Sequence, residues 1–179
     1  MDSINRNQPE HNREDVAGAE AVARIRDMSD DAGSCFFCTT PLPDSDTGGN
    51  RPMSIEQADD TGALWFLSAA DSYKNAEIEA DPAVRLYMQS AKHAGFLVLD
   101  GRATISRDRA KIDALWNPIM KTWFTEGEDD PRITVIKVTP VAGYYWDNKH
   151  GGFVAATKMV IGAAIGKTLD DSIEGNVAP

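Results

Sequence analysis

Cysteine and histidine are scarce in this 179-residue chain, two of the first and three of the second, and that scarcity removes whole classes of chemistry. Two cysteines cannot build a disulfide framework. Cys35 and Cys38 form a C-x-x-C pair, but Cys35-Phe36-Phe37-Cys38 reads as a strand, where residues three apart point to opposite faces and cannot converge on one metal. No second C-x-x-C completes a tetrahedral site, and both are read as packing cysteines. His11, His93 and His150 fall in a polar segment, a hairpin and a glycine-rich stretch, with no ligand spacing among them. That argues against a metal enzyme or a serine-type triad. The 28 acidic residues show no recognisable pair for glycoside chemistry, and the run Glu126 to Asp130 reads as a solvated loop.

Positive charge is also short: 18 Lys and Arg against 28 Asp and Glu give a formal charge of -10. A nucleic acid or an anionic membrane surface is therefore not an expected partner, because both are bound mainly through clustered cations. No run approaches the ~18 apolar residues of a membrane helix. Met1 to Arg13 is polar, without the apolar core of a signal peptide. The expectation is a soluble, cytoplasmic protein. A hydrophobic content of 42% in 179 residues suits one domain with its own core.

What is present reads as a small β-rich domain. Residues 1–14 carry almost nothing to bury and are expected to be a disordered tail; residues 15–165 form the domain, and 166–179 a flexible C-terminal tail. Val16, Ala19, Val22, Ile25 and Met28 recur at threes, which predicts a helix from Asp15 to Met28 ended by Asp30, Asp31 and Gly33. Six β-like runs follow, Ser34 to Thr40, Arg51 to Gln57, Ala63 to Ser68, Ala83 to Gln89, Phe96 to Ser106 and Ile133 to Asp147. Turn formers in Pro41 to Asn50 and a short link at Ser90 to Gly95 predict antiparallel hairpins, hence a meandering barrel of six or more strands. Helices are expected at Ser72 to Ala80, ended by Asp81-Pro82, at Asp108 to Trp116, and from Pro118 to about Phe124. Phe153 to Ile165, rich in Ala and Gly, reads as a helix against the barrel or a partner subunit.

One segment carries chemistry. From Trp65 to Ala76 the chain runs from a buried strand through a turn into a helix that opens Ser72-Tyr73-Lys74. A helix start offers unpaired N–H groups and partial positive charge, to which Ser and Lys add a hydroxyl and a cation, a seat for a phosphate. Taken alone, a serine N-cap and a surface lysine explain the same residues. Arg51-Pro52-Met53 shifts the balance: a cation enters the preceding β-run of an acidic chain, and Pro places that strand at an edge or a strand start. Arg51 and the Ser72 turn can then lie on one side of the sheet, with Trp123, Phe124 and Trp146 available as apolar contacts for a ring.

These residues, in this order, resemble the general stress protein 26 group of the pyridoxamine 5'-phosphate oxidase-like FMN-binding split barrels. The Arg-Pro-Met strand, Ser72-x-Lys74 before a helix and Asp81-Pro82, Trp116-Asn117-Pro118, Trp123-Phe124, Glu126-Gly127, Asp130-Pro131 and Tyr145-Trp146-Asp147 carry the likeness from Val16 to Trp146. The resemblance implies a mainly β split barrel with flanking helices, and a homodimer with flavin at its interface. It places the flavin phosphate on Ser72 and Lys74, with Arg51 contributing to the phosphate or the ribityl chain, lines the ribityl chain and ring with Met53, Leu67 and Ser68, and counts Pro52 and Tyr73 among the cofactor-binding residues. It sets Trp123 or Trp146 against the flavin of the other subunit. FMN is the implied cofactor, with FAD or riboflavin as competitors.

Two departures oppose pyridoxamine phosphate oxidation. The stretch Asp147 to Gly152 lacks the arginines that oxidases carry after the last-strand Trp, and Tyr73 stands where they have Arg. The expected activity is a flavin-dependent oxidoreductase on a small substrate, supplied with redox chemistry by its cofactor. The alternatives are a flavin-holding stress or sensing module without turnover, and a split barrel using deazaflavin or haem.

Overall fold

The computed structural model describes residues 12–45, 48–90, 95–148 and 172–179. Alternation of apolar and polar residues decides its central strands. In β6 (Ala83–Gln89), Val84, Leu86 and Met88 point inward while Ala83, Arg85, Tyr87 and Gln89 face out, the period of two that a half-buried strand requires. β7 (Phe96–Ser106) repeats the pattern, pairs antiparallel with β6 and pairs again with the 16-residue β8 (Ile133–Asn148). The remaining strands are β1 (Val16–Ala17), β2 (Ser34–Thr39), β3 (Asn50–Ser54), β4 (Gln57–Ala58), β5 (Leu64–Ala69) and β9 (Ser172–Ala178). Three α-helices accompany them: α1 (Ala19–Ala32), α2 (Tyr73–Ala80) and α3 (Arg109–Leu115).

The sheet runs β1-β9-β8-β7-β6-β2-β3, and β5, with β4 at its edge, joins along β8. β8 makes this branching possible. One edge is taken by β7 from Val135 to Trp146, while the other is shared, Ile133 to Val138 by β5 and Gly143 to Asn148 by β9. The ladder with β7 slips at Asp100/Gly101, where a Cβ on Gly101 would lie 2.7 Å from Val138 Cγ1 and 2.9 Å from Thr139 O. Only glycine admits so close an approach, and the bulge bends the sheet. The ladder is not closed: β3 pairs with β2 and β4 with β5, without a rung between them. Among the described residues every pairing is antiparallel, as expected, except along β9, where the two-residue rung to β1 and the isolated Arg13–Glu174 bridge are parallel.

The main core lies inside the curled sheet under α1, whose Ala21, Ile25 and Met28 are buried against it. Phe37 and Phe66 meet there edge to face with centroids 5.2 Å apart, a favoured geometry for aromatic pairs. Cys35 is buried and packs in this core, and burial pushes its thiol up to about 12. A second, smaller cluster forms under α3 from Leu67, Ile112, Leu115, Met120, Phe124, Ile133 and Val135.

Several expected boundaries are corrected. The first helix begins at Ala19, because Asp15 to Ala17 run alongside β9; Asp30 and Asp31 are still helical, and Gly33 ends it in a left-handed conformation (φ 61°). The run Arg51 to Gln57 is broken at Ile55 and Glu56, whose N–H groups donate to Gly33 O and Trp65 O at 3.0 and 2.9 Å. The third expected helix is a 3-10 turn, Pro118–Thr122, capped by the Asn117 side chain.

Neither tail is loose where it is described. Glu14 N–H donates to Glu174 O, Glu174 N–H to Asn12 O, and Tyr145 Oη to Glu14 O, at 2.8 to 2.9 Å. The segment expected to fray, 166–179, instead supplies β9, because β8 would otherwise offer an unpaired edge and Val177 has a core position to fill. Gly175 admits the Glu14 backbone, whose O stands where a Cβ would clash. The helix expected over Phe153 to Ile165 lies outside the described residues. Deleting residues 172–179 is expected to lower stability by at least about 1.5–3 kcal/mol, the worth of burying one valine. Urea denaturation checks this, and an unchanged midpoint would mean that β9 contributes nothing.

Candidate functional site

α2 starts where β5 ends, and its first turn is held by a buried polar network. Ser72 is the N-cap, its Oγ accepting from Asn75 N–H at 3.3 Å, and a capped start of this kind satisfies a donor the helix cannot. Ser68 Oγ donates to Asn75 Oδ1 at 2.7 Å, Asn75 Nδ2 to Thr134 Oγ1 at 2.9 Å, and Thr134 Oγ1 back to Ser68 O at 3.0 Å. Ser68, Asn75 and Thr134 are all buried, so β5, α2 and β8 are locked to one another at this corner.

A second bond fixes the other flank of α2. Glu77, fully buried, accepts from Thr39 Oγ1 and from Arg51 Nη2, each at 2.6 Å, and Arg51 Nη1 donates to Thr39 Oγ1 at 2.7 Å. Burial raises the Glu77 carboxyl, but the Thr39 hydroxyl and the Arg51 guanidinium outweigh it and hold the group below its ordinary 4.5. Arg51 thus stands behind the helix start and is committed to a carboxylate within the fold.

In front of the helix start is a cleft of about 380 Å³. Pro52, Met53, Leu67, Ser68, Ser72, Lys74 and Trp123 line it together with Ser54, Glu56, Ala69, Met120 and Phe124. Its walls come from the edge strand β3, from β5 and from the 3-10 turn packed on the second core cluster. Lys74 is half-buried and makes no hydrogen bond or ion pair among the described residues. Burial, and then the Arg51 guanidinium, pull its ammonium down to about 8, with Glu77 opposing. Trp123 is 61% exposed at the cleft rim. The site therefore offers a cation, a hydroxyl and a helix N-terminus at one end, and Met and aromatic walls at the other.

Known proteins share this fold. The profile of the family described as pyridoxamine 5'-phosphate oxidase like matches residues 20–170. The chain belongs to that family. Its curated relative bli-3 of Neurospora crassa is 26% identical over 150 residues, which cover 78% of this chain and 68% of that protein. Among solved structures, a protein from Jannaschia sp. assigned to general stress protein 26 superposes with a TM-score of 0.73 at 24% identity, covering 90% of this chain and 100% of that one. The general stress FMN/FAD binding protein of Xanthomonas citri superposes with a TM-score of 0.58 at 23% identity, over 71% of this chain and 87% of that one. These structural likenesses confirm the split-barrel fold of this member of the pyridoxamine 5'-phosphate oxidase-like family.

Of the residues singled out from the sequence, three stand apart from the cleft of this family member. Arg51 backs it, as described. Tyr73 is 51% exposed and does not line it. Trp146 pairs with Phe96 and Glu174 at the far end of β8, whereas the cleft adjoins the stretch paired with β5. Sequence reasoning passed over Asn75, Glu77, Glu56 and Met120. Asn75 and Glu77 do follow Lys74 within one helical turn, but only the fold shows that they turn inward.

Arg51→Ala is expected to destabilise the protein by about 3–5 kcal/mol, since it leaves a buried carboxylate without its cation. The depressed Glu77 carboxyl stabilises the fold above its unfolded value of 4.5 and ceases to do so as pH falls through its folded value. Below about pH 4.5 the wild type should thus lose stability that Glu77→Gln does not lose, a difference that urea titrations at several pH values will read.

Proposed function

We propose that this protein binds a flavin, FMN first and FAD or riboflavin as competitors, with the phosphate at Lys74 and Ser72 and the ring between Met53, Leu67 and Trp123. The observation that carries this reading is Lys74, a half-buried cation without a partner among the described residues, placed beside Ser72 at the start of α2 and lining the cleft. An ammonium held partly out of water without an anion is unfavourable, and a phosphate at a helix N-terminus relieves it. The Met and aromatic walls suit a flat ring, and family membership and the FMN/FAD binding relative point the same way. A bound flavin supplies electron transfer, while the chain positions it and excludes water. The reading is an oxidoreductase on a small substrate other than pyridoxamine phosphate.

The protein is proposed to be a cytosolic homodimer; its free Cys35 and Cys38 suit a reducing compartment. No described helix is long and apolar enough to cross a membrane. The outer face of the sheet supports a second copy. Pro52, Phe36, Tyr87, Val98 and Tyr144 are neighbours in register across β3, β2, β6, β7 and β8, with Phe96 and Trp146 in the next row. Phe36, Tyr87, Phe96 and Trp146 are all more than 40% exposed, and exposed apolar patches of this kind mark interaction surfaces. Pro52 belongs both to this band and to the cleft, so a partner seated on the band would border the ring.

FMN retention, read by visible absorption after desalting, is expected in the wild type and lost in Lys74→Ala. Phosphate binding needs the protonated ammonium, so FMN affinity should hold up to about pH 8 and then fall by up to about tenfold per pH unit. Riboflavin, without a phosphate, should lack that slope; a shared pH profile would remove Lys74 from the phosphate site. Tyr87→Glu is expected to shift the protein from dimer to monomer in sedimentation and to weaken flavin retention.

A further inference from the structure

The cleft contains a second charge, at a different place from the first. Glu56 lies in the two-residue break between β3 and β4, and its N–H donates to Trp65 O at 2.9 Å, which fixes its backbone against β5. It is half-buried and lines the cleft with Met53, Met120 and Trp123. Among the described residues its carboxylate has one hydrogen bond, from Asn117 Nδ2 at a long 3.3 Å, and no ion pair. Lys74 makes no ion pair with it, and burial raises the Glu56 carboxyl from 4.5. The two charges reach the cleft from different elements, Lys74 from the first turn of α2 and Glu56 from the break between β3 and β4.

A carboxylate is an acceptor only, with room for several donors. Half-buried beside Met and Trp side chains, with a single weak amide donor, it is satisfied best by an ammonium or a ring N–H, and it repels any anion brought to the same end. We propose that Glu56 is a specificity-determining residue that selects an amine-bearing or cationic ring compound as the second ligand of the cleft and rejects phosphorylated or carboxylated rings. This rests on the flavin reading in placing the phosphate at the Lys74 end. Glu56 also gives a reason, independent of the residues after Trp146, why a ring carrying its own phosphate is a poor ligand here.

Three ring probes of matched size test this: benzylamine, benzyl alcohol and benzoate, titrated calorimetrically into the protein after its flavin retention has been recorded. Benzylamine is expected to bind at least about tenfold more tightly than benzoate, about 1.4 kcal/mol. Glu56→Gln should abolish that preference and keep its flavin. Glu56→Lys should invert it, a gain that a misfolded variant cannot mimic. Glu128→Gln, on the exposed loop, should leave it intact and so exclude bulk negative charge as the cause. Equal binding of amine and carboxylate, no binding of any probe at millimolar concentration, or a preference that survives Glu56→Gln overturns the proposal. Loss of flavin from Glu56→Gln overturns it as well, by assigning the carboxylate to the ring N–H of the cofactor. A wild type that retains no flavin sinks the flavin reading on its own, and the probe preference is then still read on the same protein.

Discussion

The buried contact between Glu77 and Arg51 is the constraint on which the site depends. Glu77 sits one turn after Lys74 on a helix of eight residues, too short to hold its position by helix propensity alone. Taking a carboxylate wholly out of water is expensive unless its partners are close and well aligned, and here two donors lie at 2.6 Å. The pair therefore sets which face of α2 turns toward β2 and β3. That choice brings Lys74 to the cleft. The same bond decides what Arg51 does: a guanidinium paired within the fold supports the start of α2, and Lys74 is the cation that lines the cleft.

The opposite wall follows from β8. A strand of 16 residues with one edge divided between two partners has two jobs, and its first half, beside β5, roofs the second core cluster. Ile133 and Val135 bury Leu67, Ile112, Leu115, Met120 and Phe124 there. That small core positions the 3-10 turn whose Met120, with Trp123 and Phe124 just beyond it, faces the cleft. The stiffness of this Met and aromatic wall thus derives from a cluster that is separate from the main core, so the two walls of the cleft rest on different foundations. The Ser68, Asn75 and Thr134 network joins them.

How much of this was legible in the sequence depended on how local the cause was. β6 and β7 have the bounds their alternation predicts, because a half-buried strand writes its faces into successive residues. α2 was legible from Ser72 and Asp81-Pro82, a cap and a stop. The break at Ile55 and Glu56 was not, since the apolar pattern continues across it and the interruption comes from backbone bonds to Gly33 and Trp65. β9 was hidden for a similar reason: Ser172 to Ala178 includes Glu, Gly and Asn, and it is a strand only because the edge of β8 and the Asn12 to Glu14 backbone are there to receive it. In the site, the turn carrying Ser72 and Lys74 could be read as an anion seat, and the Arg-Pro-Met strand as its neighbour. The partner of Arg51 could not, because a carboxylate 26 residues away leaves no local signature.

Membership of a family fixes the scaffold more firmly than the reaction, and the cleft shows where the difference enters. Its cation end is built by elements the fold requires anyway: a capped helix, the strand before it and the ion pair behind it. Its carboxylate end is a single side chain in a two-residue break. A substitution there changes the sign of the charge offered to a second ligand without touching β3, β5 or α2. Glu56 is therefore the kind of position at which one barrel can keep its cofactor and exchange its substrate. Under the flavin reading proposed above, Lys74 holds a ring by its phosphate and Glu56 calls for one that arrives with a donor.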